Sequence, residues 1–350
     1  MQLATEIRWQ DRSFTIPMER IRLTEELGYD AVFTSEGWGS DGLTPLGYLA
    51  AVTQSLKLGT SIIQVTARSP AATVMAMQTL NALTGGGRVM LGLGSTRRYV
   101  AEGLHGRPWG NPVARMRDFV QIVRNGFEGR SLAHTGAELS VPYPADGDPV
   151  EPVRLLLDPT PGIPVYVAAS GPQMITLAAE IADGWLPRHF APGMLPHAMP
   201  LLDEGFRRAG AGKSLRSFEI WAHVDAMVDS DVRRAMQPFK EYVAAWAGSQ
   251  RQQMVWSGQG EVCDKIEELM AAGRREEAVA AVPEDYIDHA WLVGPLSRIR
   301  QRLKPWLESG ATGLIVRYGP GGSRYGPAGG GEPPIENLDF FRAVAEAARA

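Results

Sequence analysis

Short apolar runs alternate along this chain with longer segments whose apolar residues recur at helical spacing. The run 58–63 carries no charge and closes at the polar Gln64, which is typical of a strand buried on both faces. Segment 71–83 has helical spacing and ends at three glycines, and 88–93 is again a buried run. This order predicts a β-α-β unit with parallel strands. The polar loops after both strands then lie on one edge of the sheet, where α/β proteins bind ligands.

The same alternation continues through the rest of the chain. Strand-like runs are predicted at 2–7, 29–34, 58–63, 88–93, 163–170, 183–186, 218–228 and 313–317. Helical segments are predicted at 17–27, 43–55, 71–83, 112–126, 173–182, 195–209, 231–246, 295–307 and 337–348. Strands that alternate with helices in this way favour an α/β fold, a single (β/α)₈ TIM barrel, over an open sheet.

Three segments interrupt this rhythm. Segment 129–161 carries six prolines and no clear period, so we expect an insertion or extended loop. Segment 249–290 is mostly helical and is predicted as a second insertion. Segment 319–334 holds seven glycines and four prolines, too flexible a composition for a core. We expect one domain over 1–350 with these insertions.

Composition adds limits on function. Of the 350 residues 44% are hydrophobic and 21% charged, and the net charge of −4 is spread without long runs, so no nucleic-acid or membrane partner is expected. The start of the chain lacks a basic segment followed by a long apolar one, so we expect a cytoplasmic enzyme. Cys263 is the single cysteine, and the six histidines show no pattern of metal ligands, so no metal site is predicted.

Two motifs resemble nucleotide-binding loops without matching them. Gly92-Leu-Gly94-Ser95-Thr96-Arg97 has arginine where a dinucleotide fingerprint needs its third glycine, and it follows the fourth strand, not the first. Segment 211–214 looks like the end of a P-loop, but the required upstream glycine is absent and a helix precedes it. Neither motif supports a Rossmann or P-loop site.

Polar residues at strand ends are better candidates for a site. Ala169-Ser170-Gly171 leads from a strand into a helix, where backbone amides and the helix dipole can hold an anion; a plain tight turn is the alternative. Glu36 lies where barrel enzymes carry catalytic residues, although a surface carboxylate has the same pattern. Trp38 could fill a core or form the wall of an aromatic cofactor's pocket.

Taken together, these residues resemble the luciferase-like monooxygenases, and more closely the branch that uses the deazaflavin coenzyme F420. The matching segments lie in family order between Leu27 and Pro187: LGYDAVFTSEGWGSDGLTPLGYLAA, LGTSIIQVTARSPA, LTGGGRVMLGLG, AEGLHGRPWGNPVARMRDFVQIVR and IPVYVAASGPQMITLAAEIADGWLP. The second half of the chain matches only in its rhythm of strands and helices. The family fold is a (β/α)₈ barrel with insertions, which agrees with the strand pattern.

The resemblance also implies a set of site residues. It places a non-prolyl cis peptide at Ser61-Ile62, behind the central ring of the flavin or deazaflavin. Glu36 matches the acidic position beside the pyrimidine end of the ring, and Glu36 and Trp38 are the catalytic candidates. The remaining cofactor-binding candidates are Gln64, Gly94, Ser95 and Thr96 near the ring, and Ala169, Ser170 and Gly171 near the phosphate.

The chain also departs from the family pattern. Sugar-oxidising relatives carry a histidine directly after the acidic residue, where this chain has Gly37. Arg97 and Arg98 replace a glutamate or small residues after the fourth strand, and Arg188 stands where apolar residues are common. These arginines and Trp38 are candidates for binding an anionic substrate; solvated loop charges are the alternative.

The expected function is therefore hydride transfer between coenzyme F420 and a small organic substrate. Two alternatives stay open: a monooxygenase that uses reduced FMN in the same fold, and a non-catalytic cofactor-binding barrel, which Gly37 would favour. Family members are commonly dimers, so a homodimer is expected. Neither the substrate nor the direction of hydride transfer can be derived from the sequence.

Overall fold

The computed structural model describes residues 1–8, 14–37, 39–144, 148, 150–210, 212–320 and 337–349. Two sequence predictions therefore lie outside the described residues. One is Trp38 as a pocket wall. The other is most of the glycine- and proline-rich segment 319–334, of which only the first two residues are described.

The described strands and helices follow the predicted alternation. The strands are β1 (Gln2–Ile7), β2 (Ala31–Thr34), β3 (Lys57–Thr60), β4 (Ile63–Gln64), β5 (Val89–Gly94), β6 (His134–Thr135), β7 (Ser140–Val141), β8 (Val165–Ala169), β9 (Gly184–Pro187), β10 (Glu219–Val228), β11 (Leu292–Gly294) and β12 (Gly313–Tyr318). The helices are α1 (Met18–Glu26), α2 (Thr44–Val52), α3 (Pro70–Leu83), α4 (Arg98–Gly103), α5 (Pro112–Phe127), α6 (Pro172–Ile181), α7 (Leu195–Ala209), α8 (Val232–Trp256), α9 (Gly260–Ala271), α10 (Arg275–Ala280), α11 (Glu284–Ala290), α12 (Leu296–Leu307) and α13 (Leu338–Arg349).

These elements form two compact units. The central unit comprises Ala31–Leu186 and Leu201–Glu219, and the terminal unit comprises Met1–Asp30, Pro187–Pro200 and Ile220–Ala350. That the whole chain forms one domain stays a prediction.

In the central unit, parallel strands carry the core. β2 pairs with β3 and β3 with β5, beginning at Ala31↔Lys57 and Leu58↔Val89, while β5 also pairs with β8. Every residue of β5 is buried, as predicted for the run 88–93, and none of the residues of β5 is charged. Gly59 lies against the ring of Phe33, where a Cβ would come within 2.5 Å of a ring carbon. The parallel arrangement agrees with the predicted β-α-β order.

In the terminal unit, β1 and β10 both pair in parallel with β12, and β11 pairs in parallel with β10. The register aligns Gln2 and Trp221 with the same residue, Gly313. A side chain at Gly313 would meet the Trp221 ring at 2.4 Å, so glycine lets the indole pack over β12.

The predicted strand 58–63 is wrong in one respect, because the structure divides it into β3 and β4. The backbone leaves β3 at Ser61, whose N–H donates to Thr34 O at 2.7 Å, and Ile62 O accepts from the Glu36 N–H at 2.9 Å. The chain then rejoins β5, where Ile63 pairs with Leu93. The apolar sequence of 58–63 gives no sign that the backbone changes its hydrogen-bonding partners within the run.

The remaining differences concern short or kinked elements. α4 begins at Arg98, with three residues between it and the end of β5, where only a loop was expected, and its six residues are too few for a visible period. Helix α8 continues past the predicted end at Trp246, where the backbone is non-helical and kinked, to Trp256. The proline-rich segment 129–161 contains the two-residue strands β6 and β7, which pair as an antiparallel hairpin. Segment 249–290 is mostly helical, as predicted.

Candidate functional site

Glu36 and Gln64 meet at the carboxyl ends of β2 and β4. The Gln64 backbone N–H donates to Glu36 Oε2 at 2.9 Å, and the Gln64 side-chain amide lies 3.5 Å from the Glu36 carbonyl oxygen. The Arg68 guanidinium lies 3.8 Å from Glu36 Oε1. Only 7% of the Glu36 side chain is exposed. The Glu36 carboxylate is therefore buried and hydrogen-bonded at the carboxyl end of β2, which excludes the alternative of a surface carboxylate.

The Ser61-Ile62 peptide is cis, as the resemblance implied. It lies directly against β5, because a Cβ on Gly94 would come within 2.5 Å of Ile62 Cγ1. A Cβ on Gly92 would come within 1.9 Å of Thr60 O. Glycines therefore let the backbone of β5 lie against the segment that carries Ser61 and Ile62.

Segment 104–111, between α4 and α5, adds two residues that the sequence did not indicate. His105 Nε2 lies 3.3 Å from Gln64 Oε1, and because an amide oxygen only accepts, this ring nitrogen carries the hydrogen. Trp109 Nε1 donates to Thr96 O at 2.9 Å. Both side chains thus contact predicted cofactor-binding residues. The only available signal was their place in a family-like segment.

The amino end of α6 has the geometry expected of an anion site. Gly171 is its N-cap in extended conformation, and no described side chain caps it. Pro172 has no N–H, so the amides of the first turn that follow it are donors without helical partners. A Cβ at Gly171 would meet nothing within 4 Å. Ser170 is exposed, and the Ala169 carbonyl accepts from Trp185 Nε1 at 2.9 Å, which fixes the strand end.

The predicted substrate arginines have different surroundings. Arg98 forms an ion pair of 2.9 Å with Glu102 one turn later in α4, and 74% of its side chain is exposed, as in the solvated-charge alternative. Arg97 is the N-cap residue of α4. Arg188 is exposed and follows β9, in the terminal unit. Arg97 and Arg98 directly follow Ser95 and Thr96 in the sequence.

The terminal unit holds a buried charge cluster that sequence reasoning missed. Arg317 forms a bidentate pair with Asp225, at 2.6 and 2.7 Å, and donates to Glu6 at 3.2 Å. Arg8 lies 4.0 Å from Asp225. These residues come from β10, β12 and the end of β1. Charged residues inside otherwise buried strands were the signal that could have indicated them.

Two histidines accompany this cluster. His223 Nδ1 lies 3.3 Å from the Pro187 carbonyl oxygen, and its Nε2 lies 3.5 Å from Glu6. Burial, together with Arg317, lowers the pKa of His223 to about 3, so the ring is neutral at pH 7. Burial likewise holds the pKa of His189 well below its usual range, aided by Arg188 and Arg317. The buried His189 Nε2 has no hydrogen-bond partner among the described residues.

Two further findings concern the described part of the chain. No group of three or more histidine, cysteine and carboxylate side chains there could hold a metal ion. None of its helices combines the length and the apolar character needed to cross a membrane.

Comparison with known proteins decides the family. The family model described as luciferase-like monooxygenase matches residues 10–313. The chain belongs to the luciferase-like monooxygenase family. Within this family it is 35% identical, over 86% of its length and 90% of the relative's, to a Mycobacterium tuberculosis protein named "Putative coenzyme F420-dependent oxidoreductase". It is 29% identical, over 88% of its length and 89% of the relative's, to the 5,10-methylenetetrahydromethanopterin reductase of Archaeoglobus fulgidus.

Two solved structures share the fold of this chain. The F420-dependent tetrahydromethanopterin reductase of Methanopyrus kandleri superposes with a TM-score of 0.76 at 22% identity, covering 99% of this chain and 98% of the other. An F420-dependent secondary alcohol dehydrogenase in complex with an F420-acetone adduct gives a TM-score of 0.74 at 18% identity, covering 100% and 99%. The predicted (β/α)₈ barrel is thereby confirmed, and this luciferase-like chain is an oxidoreductase.

Proposed function

We propose that this protein binds coenzyme F420 and uses it to exchange a hydride with a small organic substrate. The observation that carries the proposal is the 35% identity, over 86% of the chain, to a relative whose name includes coenzyme F420. Two features of the structure support the proposal: the buried, hydrogen-bonded carboxylate of Glu36 and the start of α6, which no side chain of the described residues caps.

The residues of the central unit fit such a coenzyme. A deazaflavin needs a flat surface for its ring, polar groups for its pyrimidine end and donors for its phosphate. The Ser61-Ile62 segment would back the ring, Glu36 and Gln64 would hold the pyrimidine end, and Ser95 and Thr96 would lie along it. Ser170 and Gly171 would bind the phosphate through amides at the helix start, where the dipole favours an anion.

When bound, the deazaflavin supplies a carbon centre that carries a hydride and does not activate oxygen. The role of the chain's own residues would then be to bind the coenzyme and to orient its ring. The Gln64 N–H and Arg68 hold Glu36 as an acceptor for N–H groups, and His105 fixes the Gln64 amide. Rigid positioning of this kind lowers the barrier because the reactants lose little further entropy in reaching the reactive geometry.

Separate titrations of the purified protein with coenzyme F420 and with FMN test the proposal. We expect F420 to bind at least tenfold more tightly, which corresponds to about 1.4 kcal/mol. Tighter binding of FMN, together with oxygen consumption on reduction, would instead establish a flavin monooxygenase. If F420 binds but no candidate substrate oxidises its reduced form, the non-catalytic alternative gains support.

An anionic substrate is part of this proposal, and the arginines offer a direct comparison. Arg97→Met should raise KM for a carboxylate or phosphate substrate, because it removes a cation beside the carboxyl end of β5. Arg98→Met serves as the control, since its exposed pair with Glu102 predicts little change.

A further inference from the structure

Glu138, on the connection between β6 and β7, contacts segment 104–111 directly and also through Arg115 of α5. Its Oε1 accepts from the Asn111 N–H at 2.8 Å, and its Oε2 accepts from Arg115 Nη2 at 2.9 Å. Arg115, 93% buried, also donates through Nη1 to Pro108 O at 2.6 Å. One carboxylate and one guanidinium thus fix the backbone of this segment at two points.

The hairpin that carries Glu138 is itself fastened to α5. Asp118 accepts from the Glu138 and Leu139 N–H groups, at 2.8 and 3.0 Å, and lies 3.0 Å from His134 Nε2. Burial opposes the charge on Asp118, but the hydrogen bonds from Glu138, His134 and Leu139 outweigh it and lower the pKa of this carboxyl. The hydrogen bonds of Asp118 therefore fix the position of the hairpin from which Glu138 contacts segment 104–111.

Gly110 shows how closely segment 104–111 packs against the β6–β7 hairpin. A Cβ at this position would come within 2.1 Å of Glu138 Oε2, and its φ of +58° also favours glycine. The Asn111 side chain caps α5 by accepting from the Val113 and Ala114 N–H groups, at 3.0 and 3.1 Å. Asn111 therefore joins the two features, because its backbone N–H donates to Glu138 and its side chain caps α5.

The other side of segment 104–111 contacts the candidate cofactor site. His105 donates to the side chain of Gln64, and Trp109 donates to the carbonyl of Thr96. Gln64 in turn donates its backbone N–H to Glu36. A displacement of the segment would therefore reach Thr96 and Gln64 through one hydrogen bond each.

We propose that Glu138 and Arg115 are positioning residues for the cofactor site, and that the β6–β7 hairpin holds segment 104–111 against it. This rests on the proposed function, because the site being positioned is that of F420. The pair acts through His105 and Trp109 and needs no contact with the coenzyme. An insertion that the sequence presents as an irregular loop thereby acquires a role in ligand binding.

The test compares two carboxylates that each pair with an arginine of α5. Glu138→Gln removes the ion pair with Arg115. Glu180→Gln removes the pair between Arg117 and Glu180, which has distances of 2.6 and 2.7 Å and does not involve segment 104–111. The two glutamate side chains are similarly exposed, 18% and 16%, so the substitutions are matched in the burial of the carboxylate, whereas the partner arginines differ, with 9% of Arg115 and 45% of Arg117 exposed.

Hydrogen exchange of the coenzyme-free proteins is the first measurement, followed by F420 titration. We expect faster exchange in the peptide that covers 104–111 and a Kd for F420 raised at least tenfold in E138Q, with both within twofold of wild type in E180Q. Equal changes in both variants would show a general loss of stability and overturn the proposal. Faster exchange with an unchanged Kd would overturn it as well.

Arg115→Lys provides the second variant if E138Q does not fold. It keeps the charge but supplies one ammonium in place of the fork that reaches both Glu138 and Pro108 O, so an intermediate Kd is expected. A wild-type Kd in R115K would contradict the proposal. Failure of the wild-type protein to bind F420 would refute the proposed function, whereas tight wild-type binding with unaffected variants would refute only the positioning role.

Discussion

At Gly92 the structure leaves no room for a side chain. Thr60 O lies 1.9 Å from the place a Cβ would take. Gly92→Ala must therefore move β3 away from β5, and overpacking of a core costs about 1–3 kcal/mol. Urea denaturation should show this loss. Gly47→Ala in α2, where a Cβ meets nothing within 4 Å, is the matched control and should gain roughly 0.5–1 kcal/mol. Equal stability of the two variants would contradict the close approach.

Gly171 offers the opposite case, a glycine with open space around it. Gly171→Asp should leave the fold intact, because a Cβ there meets nothing within 4 Å and the backbone is extended. Its carboxylate would occupy the helix start and repel the coenzyme phosphate, so we expect F420 affinity to fall by about tenfold or more. Gly171→Ala controls for added bulk. Unchanged affinity of G171D would show that the phosphate binds elsewhere.

At the scale of elements, Lys213 closes the carboxyl end of α6. Its Nζ donates to the carbonyl oxygens of Glu180 and Ala182, at 3.2 and 2.5 Å. Burial lowers the pKa of Lys213 to about 8 from an ordinary 10.5. Between these values the unfolded chain binds a proton that the folded protein has released, so this lysine makes stability rise with pH.

The pH dependence of unfolding tests this assignment. From pH 8 to 10.5 the free energy of unfolding of the wild type should rise relative to that of Lys213→Met, which lacks the titrating group. The comparison removes contributions from other groups, because these are common to both proteins. Parallel curves for the two proteins would mean that Lys213 titrates normally.

The sequence predicted long periodic elements well and short ones poorly. β1 and α7 have the predicted bounds. β11 has three residues and α4 has six, too few to display a period. The division of 58–63 depends on hydrogen bonds from Ser61 to Thr34 and from Glu36 to Ile62, and no local pattern encodes such a change of partner.

For the candidate site as well, residues in local sequence motifs could be predicted, whereas residues defined by contacts between distant segments could not. The resemblance placed Glu36, Gln64 and the Ser61-Ile62 peptide, and the structure brings them together. Glu138 could not be found, because its contacts depend on how a proline-rich insertion folds back on α5. His105 could not be found either, because its contact with Gln64 joins two residues that are 41 positions apart in the sequence. The cluster around Arg317 was passed over because strands were identified by their apolar residues.

At the scale of the whole molecule, the homodimer stays a prediction. Four large apolar side chains on the neighbouring helices α2 and α3 are exposed: Tyr48 51%, Val52 38%, Met75 47% and Leu83 64%. Exposed apolar side chains on neighbouring helices make this surface a candidate for the interface. Light scattering should give about twice the 38.0 kDa of one chain, and Met75→Glu should shift the mass towards one chain without unfolding it. A single-chain mass for the wild type would refute the dimer.

The pairing of β1 with β12 also orders events during synthesis. Gln2 and Gly313, like Glu6 and Arg317, are 311 residues apart. At about 5–20 residues per second, a ribosome needs roughly 15–60 s to make the missing partner. Arg115 and Glu138, 23 residues apart, can meet within a few seconds of leaving the ribosome. Segment 104–111 and the β6–β7 hairpin can therefore fold while the nascent chain still carries Glu6 without its arginine, so the terminal unit is the last to be completed.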